Sequence, residues 1–141
     1  MHWIMNLIPQ ERPEILTSGN GPAISHSGDF TQVTSDKPAA AGEILSVFCT
    51  GLGPTKPGVD PGSPFPASPA AAVNSPVEVM VNGASAEVVG AVGYPGTVDG
   101  YQVNFRVPSG VAAGTATVQV SSAWIAGIPV KIAIRWRLHC R

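Results

Sequence analysis

The 141-residue sequence predicts an all-β chain, a single antiparallel sandwich of seven or eight short strands. Three observations predict it. Apolar and polar residues alternate in run after run, the period of a strand with one face in a core and one in water. Helical periodicity is nearly absent. Sixteen glycines and fourteen prolines punctuate the chain between the runs, which suits turns between strands and is hard to fit into a helical bundle. A hydrophobic fraction of 44% and a mean hydropathy of +0.19 supply one packed core in a chain of about one domain's length.

The strands follow in order. Residues 23–26 (AISH) and 30–34 (FTQVT) flank Ser27-Gly28-Asp29 and read as a short hairpin. Residues 43–50 (EILSVFCT) are almost continuously apolar, as a central strand would be. Residues 51–76 form a long proline-rich stretch, unusual inside a compact domain, that could carry the chain from one sheet to the other. Its alanines at 70–72 are the best candidate for one turn of helix, crowded by prolines at 64, 66, 69 and 76. In 77–82 (VEVMVN), Val77, Val79 and Val81 share a face. Asn82-Gly83 is the strongest local signal, a two-residue turn that needs positive φ at both positions. It should join 77–81 to 85–92. The run 86–93 (AEVVGAVG) is interrupted by glycine and reads as a bulged strand. In 101–107, Tyr101, Val103, Phe105 and Val107 point one way. Ala116, Val118 and Val120 do so in 114–122, and Val130, Ile132, Ile134 and Trp136 in 130–136.

Charge narrows the partners. Only 12% of residues are charged and the net charge is −1, so no field draws nucleic acid or an anionic membrane to the chain. No apolar run reaches the roughly 18 residues of a membrane span. The start, MHWIMNLIPQERPEIL, has no Lys or Arg ahead of its apolar patch and no small-residue cleavage site, so it does not read as a signal peptide. Cys49 and Cys140 allow at most one disulfide, and their separation does not say whether they meet.

Three segments carry a family resemblance: 38–62, with TGLGP at 50–54; 76–110, closing on GYQVNFRVPSG at 100–110; and 114–135. Together they resemble the Solibacter uncharacterised C-terminal domain family, a module at the ends of large exported proteins of soil acidobacteria. The resemblance implies an immunoglobulin-like sandwich of the IPT/TIG type and a secreted or cell-surface setting. It brings no catalytic residues. The resemblance covers roughly residues 12–135, and the sandwich domain is placed at 13–136, with 1–12 as an N-terminal extension and 137–141 as a tail. The Cys…Trp…Cys signature of antibody-type domains is missing.

The residues offer few reactive constellations. Ser25, His26, Ser27 and Asp29 superficially resemble a hydrolase elbow, but glycine is missing two positions before and after Ser27. A hairpin turn of small polar residues is the alternative. His26 is the only histidine inside the domain pattern, since His2 and His139 lie near the ends. Zinc and copper find no His pair and no CxxC. Calcium, which takes loop oxygens, remains open through Asp60 and Asp99, with Asp29 and Asp36 in similar loops. Each could instead cap its own turn. Glu78 and Glu87 should lie opposite one another across the 82–83 hairpin, as a carboxylate pair or as solvated surface. Tyr94 and Trp124 are too scattered for a stacking platform.

These readings predict a non-catalytic binding or structural module, with a small calcium-dependent hydrolase of esters or lactones as the alternative. In the latter a calcium-polarised carbonyl would be attacked by water. Residues 128–136 read as an exposed edge strand, and homo-oligomerisation is expected there.

Overall fold

The structure, a computed structural model, describes residues 12–19, 21–60 and 62–136. Thirteen strands form within them, and none of the described residues is helical. They are β1 (Glu14–Ile15), β2 (Thr17–Ser18), β3 (Gly21–Pro22), β4 (Ile24–His26), β5 (Ile44–Thr50), β6 (Thr55–Lys56), β7 (Ala72–Val73), β8 (Val77–Val81), β9 (Ala84–Gly93), β10 (Tyr101–Arg106), β11 (Gly114–Ser122), β12 (Ile125–Ala126) and β13 (Val130–Ile134). Strands β2 and β3 pair only with each other. The other eleven make one sheet, whose main path runs β1-β5-β10-β9-β8-β11-β12.

The all-β, antiparallel expectation therefore holds, with eleven strands in one sheet where seven or eight strands were expected. One sheet curls like a half-barrel until its two halves face each other. Strand β9 makes this happen. Its first residues pair with β8, at Val81↔Ala84 through Val79↔Ala86, and its later ones with β10, from Arg106↔Glu87 to Tyr101↔Gly93. The β10 register slips between Asn104↔Gly90 and Phe105↔Val88, leaving Val89 as an extra, exposed residue. Such a bulge bends a strand and increases its twist. The glycine-interrupted run thus carries the bulge its sequence suggested.

The alternating runs fill the space between the halves. Leu45, Val47, Val103 and Phe105 come from one half and Val79, Val81, Val118 and Val120 from the other, all at most 1% exposed and in one apolar cluster. Ile132 and Ile134 close the same cluster. Trp136 departs from the expected stripe and is 75% exposed. The β11–β13 ladder ends at Gly114↔Ile134, and the Arg135 N–H turns to the Ala39 carbonyl at 2.6 Å instead.

The Asn82-Gly83 turn forms as predicted, with φ of 52° and 79°. The long stretch 51–76 does lead from β5 in one half to β8 in the other, but it is not a bare crossing. Its short strands β6 and β7 pair antiparallel, and buried Phe65 packs on Tyr101 with ring centroids 5.2 Å apart. The proposed turn of helix is replaced by a turn at 67–70 running into β7. The prolines deny that segment helical hydrogen bonds.

Two outcomes follow for stability. Phe105→Ala should cost about 3–5 kcal/mol in denaturant melts, because the ring is fully buried in a shared core. Gly83→Val should also lower the midpoint, since a β-branched residue at φ 79° is strained.

Candidate functional site

His26 ends β4 with its ring in the interior, at 7% exposure. Its alternation partner on the strand, Ser25, projects to the opposite face. The ring is engaged on both sides. Nε2–H donates to the Lys37 carbonyl at 3.0 Å, and Nδ1 meets Glu43 Oε2. The other Glu43 oxygen accepts the Ala40 N–H at 2.9 Å. His26 and Glu43 thus pin residues 37–43 against β4. No nitrogen is left to take a proton from a serine.

The remaining members of the expected constellation are directed elsewhere. Ser27 Oγ lies 2.8 Å from Ser46 Oγ, which donates to Asn104 Oδ1 at 2.7 Å. Gln102 Nε2 donates to the same Asn104 oxygen at 3.0 Å. These side chains form a polar row from Ser27, just past β4, across β5 and β10. Asp29 accepts the N–H and the hydroxyl of Thr31 and pairs with Lys37 Nζ at 2.8 Å. The Lys37 ammonium and the Thr31 hydrogen bonds hold its carboxyl well below the usual carboxylate range. Asp29 caps its own turn, as the structural alternative had it. An open cleft of about 390 Å³ is left between His26, Asp29, Lys37, Glu43 and Arg135. Ser25, His26, Ser27 and Asp29 are therefore neighbours in the chain without forming a nucleophile–base–acid relay. Glu43, which organises the group, carries no sequence signal. It sits just before β5 in the Ala40–Glu43 turn.

Asp60 and Asp99 behave differently. They come from separate loops yet line one cleft of about 520 Å³, floored by Phe65 and Tyr101. The Tyr101 hydroxyl donates to the Gly53 carbonyl at 2.6 Å, which fixes the TGLGP loop over that floor. Asp99 stands at φ 62°, and its Oδ1 accepts the Gly51 N–H at 3.4 Å. Among the described residues no three His, Cys, Asp or Glu side chains gather around one point. A cation held here would draw its other ligands from loop carbonyls, in the way calcium permits.

Cys49, the ladder partner of cleft-lining Tyr101, is fully buried and a free thiol among the described residues. Burial, and secondarily the Asp99 charge, push its thiol up to about 12. Cys140, His2, His139 and Arg137 lie outside the described residues.

Glu78 and Glu87 do not face one another. The β8–β9 ladder ends at Val79↔Ala86, so Glu78 lies opposite Ser121 while Glu87 accepts from Arg106 Nε at 3.1 Å. Strand β9 has by then turned to β10, and each carboxylate follows a different neighbour. Tyr94 stacks edge-on against Phe48, with centroids 5.4 Å apart. Trp124 is 77% exposed in the turn joining β11 to β12, where Ala123 and Trp124 have φ of 50° and 64°. A loop after 114–122 is legible in the sequence but this conformation is not, because asparagine and glycine usually occupy such positions.

Compared with family models, curated proteins and solved structures, the chain matches none.

The Cys49 thiol sets a pH dependence. Its raised value means that the neutral form stabilises the fold fully below the unfolded value near 9. That contribution is lost as pH climbs from about 9 toward 12. Denaturant midpoints should fall over this window, and Cys49→Ala should flatten the fall. In a Cys140→Ser background, a thiol reagent at pH 8 should modify Cys49 only at the rate of unfolding.

Proposed function

We propose that the chain is a non-catalytic binding or structural module of an exported or cell-surface protein, built as an immunoglobulin-like sandwich of the IPT/TIG type. The resemblance carried by TGLGP and GYQVNFRVPSG supports the setting and the fold type. The engagement of both His26 ring nitrogens carries the non-catalytic reading. A general base needs a free nitrogen within reach of the proton it takes, and His26 has none. Its chemistry is that of a clamp.

A second reading rests on Asp60 and Asp99 sharing one cleft. Calcium bound there could polarise an ester or lactone carbonyl, with water as nucleophile. Self-association through residues 128–136 also belongs to the proposal, since β13 has β11 as its one strand partner, with only the Ala39 bridge at Ile134 on its other edge, and Ile128 is 56% exposed beside it.

One set of measurements separates the readings. Purified protein should turn over no chromogenic ester, lactone or glycoside above the buffer rate, with EDTA or with added calcium. His26→Ala should lower stability by about 1–3 kcal/mol, because Glu43 and the Lys37 carbonyl lose their partner. Activity that scales with calcium, survives repurification and disappears in Asp99→Asn would replace the module with the hydrolase. Light scattering reads the self-association: a 14.5 kDa particle at high micromolar concentration would remove it.

A further inference from the structure

A second copy that pairs with β13 needs the main-chain groups on the strand's outer edge, and another residue of the chain already stands among them. The Asn82 N–H donates to the Thr117 carbonyl, so Thr117 turns its main-chain groups toward β8 and Val118 turns its own toward β13. In the ladder Val118↔Val130, Ala116↔Ile132 and Gly114↔Ile134, the even-numbered residues of β13 therefore bond inward to β11. Lys131 and Ala133 bond outward, and so does the N–H of Arg135 just past the strand. Ala39 meets them there. Its N–H donates to the Ala133 carbonyl at 2.9 Å and its carbonyl accepts the Arg135 N–H at 2.6 Å, which makes the parallel bridge at Ile134. Its methyl group is fully buried in the core cluster. Next to Ala39 the edge borders a slot of about 410 Å³, lined by Gln32, Asp36 and Lys131 among others. Laying a loop along a strand edge is one of the ways a sheet is kept from pairing with another chain.

One side chain grips the loop on both sides of Ala39. Before it, the Lys37 carbonyl accepts from His26 Nε2–H at 3.0 Å. After it, His26 Nδ1 meets Glu43, whose other carboxylate oxygen accepts the Ala40 N–H at 2.9 Å. The loop's ends have main-chain ties of their own. Lys37 and Thr34 exchange N–H to carbonyl bonds at 3.1 and 3.2 Å. The Gly42 N–H donates to the Val107 carbonyl, and the Val107 N–H to the Glu43 carbonyl, both at 2.8 Å. The ends are thus fixed without the ring, and the middle is positioned through it.

We propose that residues 37–43 are a guard on the β13 edge, latched by His26 and Glu43, and that opening the latch releases Ala39 and admits a second copy to residues 131–135. The guard rests on the proposed self-association and names what regulates it. Ala39 and a partner strand compete for the same two groups, the Ala133 carbonyl and the Arg135 N–H, so the guarded and paired states exclude one another. With the latch closed, a second copy must displace Ala39 before it can pair beyond Lys131. With the latch open, the outward groups from Lys131 to Arg135 form one continuous row. Whatever weakens the latch therefore shifts the population toward the form that associates.

The test uses the full chain labelled with nitrogen-15, kept reduced so that Cys140 bridges no copies. Wild type is compared with His26→Ala, which opens the latch from β4, and Glu43→Ala, which opens it from the loop. Val103→Ala, a core truncation on β10, controls for general loss of stability. At low micromolar concentration, the Ala39 and Arg135 amides should exchange faster in both latch variants, measured against the ladder amides of β10 and β11, and not in Val103→Ala. In a concentration series by light scattering, the latch variants should dimerise at about tenfold lower concentration than wild type, the worth of one net hydrogen bond. The Lys131 amide should become protected as the dimer forms. If one latch variant does not fold, the other decides, since each removes half of the same contact. Equal exchange at Ala39 and Arg135 in all four proteins overturns the guard. So does faster exchange without a shift in association, a dimer promoted equally by Val103→Ala, or a dimer that leaves the Lys131 amide unprotected. A wild type that dimerises while the latch variants do so no sooner keeps the self-association and loses the guard. Proteins that all stay monomeric lose both.

Discussion

The architecture depends on one strand serving two ladders. A ten-residue strand holding a single partner throughout would leave the apolar faces of β5 and β10 with nothing to cover them. Strand β9 gives its first residues to β8 and the rest to β10, with the Val89 bulge on the second ladder. The bend brings Val79 and Val81 over Val103 and Phe105. Burial of those side chains is the main favourable term in folding, and here it depends on the angle at which one strand turns. Gly90, beside the bulge, keeps that stretch free of a further side chain.

The same curl decides where chemistry can sit. Loops at one end of the sheet bring TGLGP, Asp60 and Asp99 together, and the far edges leave the slot between Gln32 and Lys131. His26 sits on the innermost part of the edge hairpin, with its polarity met by Glu43 and by a carbonyl. A buried imidazole with both nitrogens satisfied tethers one segment to another and stabilises the local structure. That is why the one histidine of the domain pattern organises a loop and leaves Ser25 and Ser27 alone.

Local features of the sequence were legible, and pairings between distant residues were not. Asn82-Gly83 declared its turn because the requirement for positive φ is a property of two adjacent residues. The buried face of 101–107 could be read because alternation is also local. That β9 changes partners midway depends on β8 and β10 at once, and nothing within 84–93 records it except the glycine at 90. Trp136 continued the apolar period but not the ladder, because Ala39, nearly a hundred residues earlier, takes the Arg135 N–H. For the same reason Asp60 and Asp99 could be named as loop carboxylates but not placed on one cleft. Glu43 looked like the start of a strand and proved to be the counterpart of His26.

Two glycines make room for the segment that leads into β1. A side chain at Gly51 would collide with the Arg12 carbonyl, and one at Gly127 with the carbonyl of Pro13. Residues 12–13 therefore lie against the TGLGP loop on one side and the β12–β13 connection on the other, spanning the mouth of the curled sheet like a strap. Tension on the chain at residue 12 would be carried first by this strap and the two-residue β1–β5 pairing, and only then by the long ladders. A fold fastened in this way resists traction in stages: a short, easily released tether shields the core until it gives way.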